Sequence, residues 1–241
     1  MKRIIENDFL KVTIDDHGAE LVSIYDKEKD REVIWQGDPK FWGRHAPVLF
    51  PNVGKHYNNH YRIHGQEYAS KQHGFARDTD FTCIDSTLDS VTHQIRSTEE
   101  TKEVYPFDFV LRIRHILKGR TLTVSWKVAN NSDGDMYFAI GGHPAFLCPL
   151  ANKGKQSDYY LKFDTKKDLQ FALIDPDGLV ISEDNILKNE NGYVPITENM
   201  FDNDALIIEK NQAHQISLCD PQKQPYLTVT FDAPLFGVWS P

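Results

Sequence analysis

Thr121-Leu-Thr-Val-Ser-Trp-Lys-Val128 is the stretch that decides the fold. Leu122, Val124, Trp126 and Val128 fall on one side of an extended chain, and Thr121, Thr123, Ser125 and Lys127 on the other. Period-2 alternation of this kind marks a strand with one buried face. Lys11-Val-Thr-Ile14 and Tyr226-Leu-Thr-Val-Thr-Phe231 read the same way, and Leu111-Arg-Ile-Arg-His-Ile-Leu117 does so less cleanly. Lys118-Gly-Arg120, between two such patterns, predicts a hairpin. Further turn signals stand at Asp16-His-Gly18, Asn130 to Gly134, Asp175-Pro-Asp-Gly178 and Asp220-Pro221.

No stretch of a dozen residues carries a helical stripe. Short helical turns are expected near Pro39–Trp42 and Glu198–Asp202. Many short strands with frequent turns predict an all-β sandwich or barrel. There is no repeat, low-complexity tract or linker, and the polar segment Ala151–Ser157 is too short to separate domains. The expectation is one domain over 1–241, a length that suits a single large β unit.

Bulk properties narrow the function. The net charge is −8 with scattered Lys and Arg, which argues against nucleic acid and against anionic membrane surfaces. Cys83, Cys148 and Cys219 are far apart and form no CxxC, which fits isolated reduced thiols in the cytoplasm. Met1 to Ile14 lacks a signal-peptide core, and no apolar run is long enough to span a bilayer. The aromatic share of 12% supplies strand formers and flat faces for stacking. Trp35, Trp42, Phe75 and Phe146 could stack on a sugar ring, although such residues are more often core.

Candidate chemistry concentrates between Arg44 and Arg77. His56, His60 and His64 are spaced by four, as zinc ligands on a helix would be. Asn58-Asn59 breaks that helix and looks like a hairpin turn, so exposed hairpin histidines are the better reading and no metal is expected. No GxSxG occurs, and no Cys lies beside a credible base. What remains is a pair of histidines flanked by glycine. One is His73 in Gln72-His-Gly-Phe-Ala-Arg-Asp78; the other is His143 in Ile140-Gly-Gly-His-Pro-Ala-Phe146. Pro144 pushes His143 towards extended backbone, and Gly141 and Gly142 allow close approach or a bulge. Imidazole suits proton transfer near neutrality.

These two motifs, with Ala46-Pro-Val-Leu-Phe-Pro51, resemble the aldose 1-epimerase (galactose mutarotase-like) family, and within it the bacterial galactose mutarotase-related branch. The resemblance runs over nearly the whole chain, through Trp35-Gln-Gly-Asp38, Phe41-Trp42 and Phe201-Asp-Asn-Asp-Ala205. It implies a large antiparallel β-sandwich, the supersandwich, with a sugar on a concave sheet face. It implies an isomerase that interconverts the α and β anomers of a hexose or hexose phosphate, without cofactor. A base takes the C1 hydroxyl proton, an acid protonates the ring oxygen, the ring opens, C1–C2 rotates and the ring recloses.

Carried over by motif, His143 is the acid and His73 a hydrogen-bond partner of the ring oxygen or a nearby hydroxyl. Asp204 binds hydroxyls, unless it is only a turn residue. Arg77 binds a hydroxyl or phosphate, unless it is spent on an ion pair with Asp78 or Asp80. Lys55 stands after Gly54 where much of the family has Arg, keeping the charge and losing the fork. The family's base is a Glu in a Glu-Pro-Trp or Glu-Pro-Gly context. No such motif occurs in residues 1–241, and Glu209 has no motif to support it as a substitute. The reading is a domain lacking its C-terminal strands. Its rivals are a non-catalytic sugar-binding or sugar-sensing protein on the same fold, and a metal-dependent barrel using the clustered histidines. The sequence leaves the sugar and the oligomeric state open.

Overall fold

The computed structural model describes the backbone of residues 1–241 and every side chain except those of Asn152, Ser182, Glu183 and Asp184. The chain is all-β, with antiparallel sheets throughout and two compact units, Met1–Leu147 and Cys148–Pro241.

In the first unit, β1 (Lys2–Glu6), β2 (Leu10–Asp15), β3 (Leu21–Asp26) and β4 (Arg31–Glu32) form a meander. The short β5 (Val48–Leu49) follows, then the hairpin β6 (His60–Ile63) and β7 (Gln66–Ala69). A second four-stranded sheet contains β8 (Thr82–Ser86), β9 (Ser90–Arg96), β10 (Phe109–Lys118) and β11 (Thr121–Asn130) in the order β11-β10-β9-β8. The six-residue helix α1 (Glu99–Val104) lies between β9 and β10. Thr98 caps it by accepting the Thr101 N–H, while the Thr101 hydroxyl accepts the Thr98 N–H. The two-residue β12 (Gly141–Gly142) returns to β5.

The alternation read from sequence shows in the burial of β10 and is only partial in β11. Phe109, Leu111, Ile113, His115 and Leu117 of β10 are buried, while Arg112 and Arg114 between them are exposed. Lys118 pairs with Thr121, so Gly119 and Arg120 form a two-residue hairpin loop in which Gly119 has φ +56°. Leu122 packs on one apolar cluster and Val128 on another, whereas Val124 and Trp126 on the same face stay partly exposed. The first cluster joins the two sheets, with Ile5, Val12 and Ile14 of the meander meeting Val91 and Leu117. The second is aromatic and centres on Phe50, whose ring contacts Phe75, Tyr105 and Phe109.

The hairpin turn falls elsewhere than expected. Asn58 and Asn59 do have positive φ, but they belong to a 3-10 turn leading into β6. The hairpin closes at His64-Gly65, with φ of +49° and +84°, which is the primed-turn backbone that two-residue loops need. Pro39–Trp42 and Glu198–Asp202 fold as isolated turns, with Phe41 and Trp42 donating to the Asp38 carbonyl and Met200 to that of Thr197.

The second unit holds β13 (Tyr160–Phe163), β14 (Leu169–Ile174), β15 (Val180–Leu187), β16 (Tyr193–Pro195), β17 (Leu206–Ile208), β18 (Gln215–Cys219), β19 (Pro225–Thr230) and β20 (Phe236–Val238). They make two four-stranded sheets, β16-β13-β18-β19 and β15-β14-β17-β20. Leu161, Phe163, Leu169, Val194, Leu206 and Ile208 are buried there. No helix among the described residues is long and apolar enough to cross a membrane.

Two buried histidines occupy the inner face of the β9/β10 pair. His93 and His115 meet edge to face at 6.5 Å. His93 Nε2 donates to Asp16 Oδ1 at 3.0 Å, and Arg3 grips the same carboxylate with two bonds of 2.9 Å. That pairing holds the Asp16 carboxyl well below the usual range. Nδ1 of each histidine is buried without a hydrogen-bond partner. Burial pushes His115 down to about 3, with His93 adding to the effect. Burial also lowers His93 against the pull of Asp16.

The unfolded chain therefore binds these protons more readily than the folded one between pH 6.5 and about 3. Stability falls as pH drops through that window, by a few kcal/mol on the order of the His115 shift. His115→Leu should flatten the dependence of the unfolding midpoint on pH below about 6. A variant with the wild-type slope would show that the acid sensitivity lies elsewhere.

Candidate active site

The segment Ala46-Pro-Val-Leu-Phe-Pro51 is the backbone that assembles the site. On one edge it takes the Gly-Gly-His motif: Gly142 pairs with Val48 and Gly141 with Leu49. His143 N–H then donates to the Pro47 carbonyl at 3.0 Å, and Ala145 N–H to that of His45 at 2.8 Å. On the other edge Phe50 bridges Gly74 in parallel, and Phe50 N–H donates to the His73 carbonyl at 3.3 Å. The Phe50 carbonyl accepts from both Phe75 and Ala76, at 3.0 and 3.1 Å. Three motifs that are distant in sequence thus form one hydrogen-bonded unit, rooted in the aromatic cluster by the Phe50 ring. The carboxylate of Glu20 secures its start by accepting the N–H groups of His45 and Ala46 at 2.7 and 2.9 Å.

The outcome is that the rings of His73 and His143 lie 6.0 Å apart, edge to face. Both are half-buried. His73 itself has φ +65°, a left-handed backbone that non-glycine residues adopt rarely and that tends to be retained at functional sites. Trp42 lies against His143 at 4.8 Å with the rings 31° from parallel, which limits the swing of the imidazole. Trp35 fixes this tryptophan by donating its indole N–H to the Trp42 carbonyl at 2.8 Å.

The two imidazoles are not equivalent. Gly54 N–H donates to His73 Nδ1 at 3.0 Å. Nδ1 is therefore an acceptor, and in the neutral ring the proton sits on Nε2. Burial, followed by the positive charges of Arg77, His143 and Arg44, pushes His73 down to about 4. At neutral pH His73 is an uncharged ring with one committed acceptor and one N–H to offer. It can hold an oxygen, but it is a poor proton carrier.

Arg77 forms a long ion pair with Asp78 and none with Asp80 among the described residues. Its nearest approach to Asp78 is 4.0 Å, whereas Arg44 takes Asp78 at 2.8 Å and His17 takes Asp80 at 2.7 Å. One Arg77 amine donates to the Gln72 carbonyl at 2.8 Å, and its buried Nε has no hydrogen-bond partner. Burial and the nearby Arg44 lower its affinity for its own proton. Lys55 is half-buried directly after Gly54. His73, His143, Arg77 and Lys55 all belong to the first unit, and Asp204 to the second. Asp204 is exposed in a left-handed turn, with φ +69°, and its carboxylate accepts the Ala205 N–H at 2.6 Å. Among the described residues no group of three His, Cys, Asp or Glu is placed to hold a metal ion. His56 instead contacts the Ser70 hydroxyl, and His60 the Asn58 carbonyl.

Sequence reasoning did not single out Arg44 or Asn52. Trp42 was visible only as one aromatic among several, although the Asp38-Pro39 turn ahead of it was a usable signal.

A sequence model of the aldose 1-epimerase family matches residues 2–241. The chromosomal and plasmid LacX proteins of Lactococcus lactis subsp. lactis are each 30% identical over 246 residues, spanning 98% of this chain and 82% of theirs. A galactose mutarotase related enzyme from Lactobacillus acidophilus superposes with a TM-score of 0.92 at 36% identity, over 100% of this chain and 80% of its own. A galactose mutarotase-like protein from Lactobacillus casei does so with a TM-score of 0.89 at 34% identity, over 100% and 83%.

Proposed function

This chain belongs to the aldose 1-epimerase family, and we propose that it is a mutarotase interconverting the α and β anomers of a hexose or hexose phosphate. The observation that supports the proposal is a pair of imidazoles 6.0 Å apart, of which His73 accepts the Gly54 N–H at Nδ1 and so has its proton on Nε2 when neutral; we assign proton transfer to the other, His143. Anomer exchange needs that division of roles. His73 Nε2–H holds the ring oxygen or a neighbouring hydroxyl. His143 delivers a proton to the ring oxygen as the C1–O bond breaks, and a base takes the proton of the C1 hydroxyl. In the family that base is a glutamate. After rotation about C1–C2 the same groups run in reverse and close the other anomer.

The arginines bear on the substrate. Arg77 and Arg44 both act on His73 electrostatically, and the buried Arg77 Nε lies 4.0 Å from Asp78 without a hydrogen-bond partner. A guanidinium in that state suits a phosphate or a pair of hydroxyls. The names of the structural relatives make galactose the first neutral sugar to try.

Polarimetry or saturation-transfer NMR on α-glucose, α-galactose and their 6-phosphates tests the activity with full-length protein. Acceleration of at least one is expected, and no acceleration of any overturns the proposal. A second reading, a sugar-binding protein without turnover, is favoured by Lys55 standing where the resemblance leads one to expect a forked guanidinium. Saturable binding of a sugar with no change in its mutarotation rate would select it.

A further inference from the structure

Asn52 sits at the join between the Leu-Phe-Pro segment and the loop carrying Lys55, and it is 8% exposed. Its amide nitrogen donates twice, to the Gly54 carbonyl at 3.0 Å and to the Lys71 carbonyl at 3.1 Å. Each of those carbonyls accepts a second bond from the His73 loop: His73 N–H reaches Gly54 O at 2.8 Å, and Gly74 N–H reaches Lys71 O at 3.0 Å. Gly54 then turns its own N–H onto His73 Nδ1, at φ +76° and with open space where a Cβ would be. The buried Asn52 amide and two main-chain N–H groups therefore converge on two carbonyls, and the Asn52–Lys71 and His73–Gly54 bonds tie the two loops together. The ring bond to His73 is the product of that closure.

We propose that Asn52 is the positioning residue of this site: by clamping Gly54 and Lys71 it aims the Gly54 N–H at His73 and so fixes the imidazole as the Nε2–H donor. A short neutral carboxamide suits this place, because its one nitrogen carries two N–H donors and can bridge both carbonyls from a buried position without a charge. An aspartate of the same shape has none. It would set a carboxylate against two carbonyl oxygens and drive the loops apart. With the clamp open, the aim of the Gly54 N–H at Nδ1 is loosened and the tautomers are less strongly separated, and a ring protonated on Nδ1 presents a lone pair to the ligand instead of a donor.

The use of that donor on a sugar rests on the proposed function, but the tautomer itself does not. It is read by nitrogen NMR of 15N-histidine-labelled protein, with no substrate present. Wild-type His73 should show a protonated Nε2 and an unprotonated Nδ1 from about pH 5 to 8. A ring protonated on Nδ1 overturns the proposal before any variant is made. Asn52→Asp, and Asn52→Ala beside it, should mix the tautomers and move the His73 titration up towards the ordinary histidine value. They should also lower kcat on the order of 10- to 100-fold and raise KM, in the pattern of a weakened His73 donor. A folded variant that keeps the wild-type tautomer removes Asn52 from the role. Loss of the tautomer in a protein that never turned over a sugar would sustain the clamp while the enzymatic reading fell.

Discussion

Replacing His143 by alanine is expected to slow anomer interconversion by at least about 100-fold and to leave sugar affinity little changed. The reason lies in when its contribution is made. In the proposed mechanism the proton moves to the ring oxygen as the C1–O bond breaks, so the stabilisation would belong to the transition state and be small in the ground-state complex. His73→Ala should behave differently. The His73 N–H is offered to the bound sugar as well as to the transition state, so its loss should raise KM along with lowering kcat. Comparing the two variants by saturation-transfer rates and by calorimetric titration with the same sugar separates the roles. If His143→Ala lost affinity in proportion to rate, it would be a binding residue and the acid would have to be sought elsewhere.

Gly74→Ala is expected to remove the site by unfolding its frame, at a cost of roughly 3–5 kcal/mol. A Cβ at this position would lie 2.1 Å from the carbonyl oxygen of Phe50, a backbone atom with no side-chain freedom to yield. That oxygen accepts the N–H groups of Phe75 and Ala76, so moving it weakens two bonds worth about 1 kcal/mol each. The left-handed φ of +70° adds about 1–2 kcal/mol for any residue with a Cβ. Gly65→Ala is the control. Gly65 has φ +84° but nothing within 4 Å of a built Cβ, so it should cost only the backbone share, about 1 kcal/mol. Denaturant unfolding of the two variants measures the difference. Equal losses would mean that close approach to Phe50 contributes nothing.

How far the fold was legible depends on where each signal resides. Alternation in β10 could be read directly, since a strand buried on one face writes its period into the chain; β11 carries the same sequence period, but its face is covered only at Leu122 and Val128. The Gly119-Arg120 hairpin was legible for the same local reason. The turn at His64-Gly65 was misplaced onto Asn58-Asn59 because both pairs take positive φ, and composition alone prefers two asparagines. Which pair closes the hairpin is decided by β6 aligning with β7, a pairing between strands. The helix α1 escaped notice because its six residues are too few to show a period.

The site divides along the same line. The sequence by itself determined that this is an all-β chain with two glycine-flanked histidines and the motifs of the aldose 1-epimerase family, because strand period and glycine placement are local properties. It could not say that Phe50 stands between the two histidine motifs, that Arg44 takes Asp78 and leaves Arg77 less committed, or that Asn52 crosses to Lys71. Those are contacts between segments far apart in the chain, and they exist only once the strands have paired. The tertiary structure also sets the His73 environment, since burial and the charge of Arg77 lower its pKa and the Gly54 N–H reaches its Nδ1 through space.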